Sequence, residues 1–219
     1  MWDAIMIHAF THSSSYIPLL LAAWLSLSLV SESHGQERVV VLGDSITAGY
    51  GLKKEEAYPA LLEKRAVAEG YKIEVVNAGL SGDTTRGGLR RIAVLARRPI
   101  DILVIALGGN DGLRGIAPAV SQKNLEQIID RARKAQPQMK ILLVGMQMPE
   151  NMGVDYTRAF QKMFAAVGLS KKVDVLPFLL EGVATDKKLN LPDGIHPNAQ
   201  GQARVADHVY KTLKRMFTK

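Results

Sequence analysis

Five short apolar runs alternate with segments of helical periodicity between residue 38 and the C-terminus. The runs lie at 39–42, 73–76 (interrupted by Glu74), 102–107, 141–144 and 173–176. They close at Gly43, Asn77-Ala78-Gly79, Gly108-Gly109, Gly145 and Pro177 respectively. Apolar residues in unbroken succession, without a polar alternate, mark strands covered on both faces of a parallel sheet. Helices are predicted over 58–69, closed by Gly70, and over 84–95. A further helix carries Leu125, Ile128, Ile129 and Ala132 on one face, with Ser121 near its N-cap. The segment 156–167 is predicted to end at Gly168 as a C-cap, and 198–216 aligns Ala206, Val209, Leu213 and Met216 on one stripe. Strands alternating with helices imply right-handed crossovers and a three-layer α/β/α sandwich around a five-stranded parallel sheet. No internal repeat or linker interrupts residues 38–219.

The N-terminal stretch is different. No Lys or Arg precedes Arg38, and residues 17–30 (IPLLLAAWLSLSLV) form an uncharged, mostly apolar run. A spanning helix wants about 20 apolar residues, whereas the core of a signal peptide wants about 7–15. Ser31 and Ser33 then offer small residues where a signal peptidase reads. Residues 1–33 are therefore expected to be a signal peptide, 34–219 the functional domain, and the location periplasmic or secreted. The missing positive charge ahead of the run departs from the usual signal pattern, and a retained N-terminal helix is the rival reading.

Composition narrows the chemistry. With 219 residues and 47% hydrophobic content, one domain can bury its own core. The chain has no Cys, which excludes disulfides, thiolate metal sites and a cysteine nucleophile. A formal charge of +7 raises the question of nucleic acid or an anionic membrane. The basic residues are spread as isolated doublets such as Lys53-Lys54 and Arg97-Arg98, so no nucleic-acid function is expected. A solvated basic surface, compatible with peripheral contact with an anionic membrane, accounts for them. No feature points to an obligate protein partner. The histidines are too scattered in sequence to assemble a metal site.

In a parallel sheet, ligands bind beyond the carboxyl ends of the strands. The first run is followed there by Gly43-Asp44-Ser45-Ile46, where Ser45 offers a hydroxyl and, at a helix start, an orphan N–H. An Asp-Ser pair serves equally as a helix cap. The second run leads to Ser81-Gly82-Asp83-Thr84, where Gly82 can bring a bare N–H to a ligand; a capped turn is the simpler reading. The third leads to Gly108-Gly109-Asn110-Asp111-Gly112, whose Asn amide can donate into the same space, although Asn-Asp-Gly is also turn chemistry. Near the C-terminus, Asp193 stands three residues before His196, a spacing that lets a carboxylate hold one ring nitrogen and leave the other free. Together these are the parts of acyl transfer: nucleophile, base, orienter and oxyanion donors. Met146, Met148, Pro149 and Met152 provide either an apolar wall for an acyl chain or loop filler.

The blocks Gly43-Asp44-Ser45-Ile46, Ser81-Gly82-Asp83, Gly108-Gly109-Asn110-Asp111 and Asp193-Gly194-Ile195-His196-Pro197 resemble, in order, those of the SGNH (GDSL) hydrolase family. The short loops are similar to its bacterial arylesterase, thioesterase I and lysophospholipase branch. The resemblance implies a flavodoxin-like fold and a serine hydrolase of aryl esters, acyl thioesters or lysophospholipids, working without metal or cofactor on a small-molecule or lipid ester. It implies a triad of Ser45, His196 and Asp193, and an oxyanion hole of Ser45 N–H, Gly82 N–H and the Asn110 amide. Met148 and Pro149 would touch substrate; Asp44 and Asp111 would be structural. A carbohydrate O-acetyl esterase is the alternative within the same family.

Overall fold

The computed structural model describes residues 35–218; the expected signal peptide at 1–33 lies outside the described residues. In chain order the elements are β1 (Glu37–Gly43), α1 (Ser45–Ala48), α2 (Tyr58–Ala68), β2 (Ile73–Gly79), α3 (Thr85–Leu95) and β3 (Ile102–Ala106). Then follow α4 (Gly109–Leu113), α5 (Pro118–Ala135), β4 (Lys140–Val144), α6 (Val154–Lys171), β5 (Asp174–Leu176) and α7 (Ala199–Leu213). All five strands pair in parallel in the order β2-β1-β3-β4-β5. That is the flavodoxin-like order, whose topological switch point lies between β1 and β3. Helices α3, α5 and α6 pack side by side as one layer, and α2 pairs with α7 as the other.

Burial follows the apolar runs. Val39 to Leu42 of the inner strand β1 and Ile102 to Ile105 of β3 are inaccessible to solvent. The edge strand β2 is only partly buried, which explains how Glu74 is tolerated there: it faces outward and pairs with Arg38. β2 also runs three residues further than its apolar pattern, because Asn77, Ala78 and Gly79 continue the ladder against Val41, Leu42 and Gly43. Gly79 is required at that end, where a Cβ would lie 2.3 Å from the backbone nitrogen of Ala48.

Three helix boundaries differ from expectation. α5 begins at Pro118, whose ring pre-sets the first helical residue. Ser121 is therefore a buried interior residue, and its hydroxyl donates to Asp111 Oδ1 at 3.0 Å instead of capping the helix. α6 does not stop at Gly168 but continues to Lys171, with Lys172 in the left-handed conformation as its cap. Gly168 serves packing: a Cβ there would come within 2.2 Å of Val175 Cγ2 on β5. α7 ends at Leu213, and the expected last turn is a separate 3-10 turn, Lys214–Met216.

Gly168→Ala should accordingly destabilise the protein by about 1–3 kcal/mol through overpacking between α6 and β5. Urea unfolding measures this, and a midpoint at or above the wild-type value would contradict the close approach.

Candidate active site

Three loops leave the carboxyl ends of β1, β2 and β3 beside the switch point, and a fourth arrives just before α7. The β1 loop turns at once into α1, a single helical turn. Asp44 caps it, accepting from Ile46 N–H at 3.0 Å, so that Ser45 is the first helical residue. As a first helical residue its N–H has no acceptor within the helix. Ser45 is buried except for a small exposed area.

The fourth loop is a tight hairpin-like turn. Leu191 N–H donates to His196 C=O at 2.7 Å and Asn198 N–H to Leu189 C=O at 2.9 Å, while Asn190 bridges Pro197. Asn198 also caps α7, its side-chain oxygen accepting from Gln200 and Gly201. This places His196 Nε2 2.8 Å from Ser45 Oγ and His196 Nδ1 2.7 Å from Asp193 Oδ2. The other carboxylate oxygen, Asp193 Oδ1, accepts from the backbone N–H groups of Ile195 (2.9 Å) and His196 (3.0 Å). Those amides, His196 first, together with the imidazole, hold the Asp193 carboxyl down to about 2. Its charge is thus present from mildly acidic pH upward and is lost only as pH falls through that value. The ring of Tyr50, in the turn after α1, lies against the His196 imidazole with centroids 4.5 Å apart.

The β2 loop is a turn closed by Asp83 N–H to Leu80 C=O at 3.0 Å, with Gly82 at its third position and φ +79°. That is the position and sign a type II turn requires, which is why the residue is glycine. The β3 loop becomes α4, on which Asn110 is half-buried. Gly82 N–H and the Asn110 amide make no hydrogen bond to another described residue. The expected site residues from all four loops therefore gather at one end of the sheet. Asp44 is engaged as the cap of α1. Asp111 is wholly buried and accepts from Thr85 N–H (2.8 Å), Thr85 Oγ (2.5 Å) and Ser121 Oγ (3.0 Å), which ties α4 to α3 and α5.

The methionine segment divides. Met146 is a core residue packed toward Gly109. Met148 lies over α4 at Gly112, where a Cβ would be 2.0 Å from its sulfur. Pro149 is exposed ahead of a 3-10 turn, Glu150–Met152. Among the described residues no three His, Asp or Glu side chains group as metal ligands.

Two residues that organise the site were missed from sequence. Gln202 on α7 is buried; its Nε2 donates to Ile46 C=O at 3.0 Å and its Oε1 accepts from Tyr58 N–H at 2.9 Å. It thereby docks the helix behind His196 onto the helix carrying Ser45. Its position in register with Ala206, Val209 and Leu213 was the available signal, a polar residue in an apolar stripe. Arg91 donates to Asp83 Oδ2, Ala78 C=O and Gly43 C=O, fastening the ends of β1 and β2 to α3. In sequence it was one of several basic doublets.

Residues 41–204 match the model of the GDSL-like lipase/acylhydrolase family. The chain is 44% identical over 200 residues to esterase TesA of Pseudomonas aeruginosa, covering 91% of this chain and 98% of that protein. It is 33% identical to an arylesterase of Vibrio mimicus over 89% of this chain and 96% of the relative. To thioesterase 1/protease 1/lysophospholipase L1 of Escherichia coli it is 37% identical over 81% of this chain and 84% of the relative. The crystal structure of TesA superposes with a TM-score of 0.79, over 83% of this chain and all of that one.

Asp44 is the electrostatic cost of this arrangement. It is 3% exposed, and burial pushes its carboxyl from 3.8 up to about 6, against the opposing pull of Ile46 N–H. A raised carboxyl pKa means that the folded state binds the proton more tightly. The penalty is therefore absent well below pH 4 and fully present above pH 6. Asp44→Asn, which keeps the capping oxygen, should raise stability above pH 7 by up to about 3 kcal/mol and lose that advantage below pH 4. Thermal unfolding across pH checks this; an equal or lower melting temperature for the variant at pH 8 would contradict it.

Proposed function

The chain belongs to the GDSL-like lipase/acylhydrolase family, and from that premise we propose that it is a serine esterase and thioesterase. Its substrates are small carboxylic esters and thioesters, aryl esters and lysophospholipid-type lipid esters among them. The observation that carries this reading is the unbroken chain from Ser45 Oγ through His196 to Asp193, at 2.8 and 2.7 Å. The names of the bacterial relatives, esterase, arylesterase and thioesterase/lysophospholipase, support the substrate class.

In the proposed reaction Ser45 Oγ attacks the ester carbonyl while His196 Nε2 takes the hydroxyl proton. The tetrahedral oxyanion is met by Ser45 N–H, Gly82 N–H and the Asn110 amide, donors with no competing partner among the described residues. His196 then returns the proton to the departing alcohol or thiol, leaving an acyl-enzyme on Ser45. Water, activated by the same imidazole, releases the acid. Asp193 stays ionised and holds the imidazole with Nδ1 as the donor. Met148, which lies over α4 at Gly112, would line the path of the acyl chain, together with the exposed Pro149.

We further infer export to the periplasm or beyond, with residues 1–33 removed; the support is the uncharged apolar run at 17–30 followed by Ser31 and Ser33. Mass spectrometry of the protein from its native host should find an N-terminus near His34. A cytosolic chain retaining Met1 would contradict export.

A chain-length series of p-nitrophenyl esters and acyl thioesters tests the function. Ser45→Ala should abolish turnover without altering the melting temperature, because it removes a small loop hydroxyl and opens no core cavity. Asp193→Asn should cut kcat by roughly 10⁴-fold by disturbing the imidazole tautomer, the scale seen in Ser-His-Asp triads. Undiminished hydrolysis by Ser45→Ala would refute the serine mechanism.

A further inference from the structure

Gly82 sits at the centre of its turn, and the turn's two ends are held separately. Leu80 N–H is bound to Gly43 C=O at 3.1 Å, and Asp83 is paired with Arg91. The glycine itself is exposed and has a left-handed φ. Type I and type II turns differ by rotation of their central peptide, which here is the peptide that carries Gly82 N–H. Glycine is free to adopt either form, so nothing in the residue itself fixes where its N–H points.

The contact to the middle of the turn comes from another loop. Arg114 Nη2 donates to Gly82 C=O at 3.0 Å. Arg114 is the C-cap of α4, and its own backbone N–H donates to Asn110 C=O at 3.2 Å. One residue is thus bonded through its main chain to Asn110 and through its side chain to Gly82, the two oxyanion donors that lie on different loops. Its guanidinium makes no ion pair with a carboxylate among the described residues. Arg86 and Arg90, exposed on α3, make no such bond to the turn.

We propose that Arg114 is a positioning residue of the oxyanion hole: it holds the Gly82 turn against α4 and so sets the spacing between Gly82 N–H and the Asn110 amide. The inference rests on the serine hydrolase reading. Because the oxyanion forms only after attack, misplacing one donor lowers turnover and leaves ground-state binding nearly unchanged. Complete loss of one such donor costs about 10²–10³ in kcat elsewhere, so loss of its support should cost roughly 10–100-fold.

The test is steady-state kinetics on a soluble p-nitrophenyl ester with the full chain, together with labelling of Ser45 by a fluorophosphonate. Arg114→Met should lower kcat about 10–100-fold with KM within about twofold and an unchanged melting temperature, and Arg114→Lys should recover part of the loss. In a Gly82→Ala background, Arg114→Met should add little, since both changes act on the same donor. A wild-type kcat in Arg114→Met overturns the proposal, as does a raised KM with kcat unchanged, which would make Arg114 a substrate-binding group. Losses that multiply fully in the double variant overturn it too. Wild-type protein in which the fluorophosphonate leaves Ser45 unmodified, with Ser45→Ala still active, would overturn the serine mechanism on which this inference rests, and the inference with it.

Discussion

A 2.8 Å contact between Ser45 Oγ and His196 Nε2 joins positions 151 residues apart in the chain, and most of the architecture can be understood as what holds it. Ser45 is fixed because β1 is an inner strand, buried on both faces, that runs without a linker into a one-turn helix. His196 is fixed because its hairpin-like loop is stapled to the N-terminus of α7, and α7 is docked on α1 through Gln202. A hydrogen bond of this kind contributes little net stability, on the order of 1 kcal/mol. The positioning energy comes from the core and the buried amide of Gln202.

Asp193 and Asp44 illustrate opposite uses of environment. Asp193 is partly exposed and accepts two backbone N–H groups as well as the imidazole, so its charge is favoured. Asp44, adjacent to Ser45, is buried, and burial pushes its carboxyl up to about 6. The local cost of burying Asp44 secures a capped helix start, which orients the Ser45 N–H that no residue of α1 can satisfy.

Much of this was legible in the chain. Continuous apolar runs reported the parallel sheet because strands covered on both faces have no polar alternate. The gathering of Ser45, Gly82, Asn110 and His196 followed from the rule that loops at the carboxyl ends of such strands share one space. Boundaries set by tertiary contacts were not legible. Gly168 reads locally as a helix stop, but it is a glycine because Val175 leaves no room for a Cβ. Ser121 reads as a cap, but it belongs to the network around Asp111. The contacts of Arg91 and Arg114 were not legible either, since a guanidinium bonded to distant backbone carbonyls has no local periodic signature. Met146 was grouped with a loop wall, yet it lies one residue past the end of β4's closing glycine and packs into the core.

The central claim is that these loops present one nucleophile and three convergent donors to a single oxygen. It is tested most directly by the crystal structure of the adduct formed when an alkylphosphonate modifies Ser45. The account predicts phosphorus bonded to Ser45 Oγ, with one phosphonyl oxygen within about 2.7–3.1 Å of Ser45 N, Gly82 N and Asn110 Nδ2. An adduct whose phosphonyl oxygen points away from Gly82 and Asn110 toward solvent would contradict it.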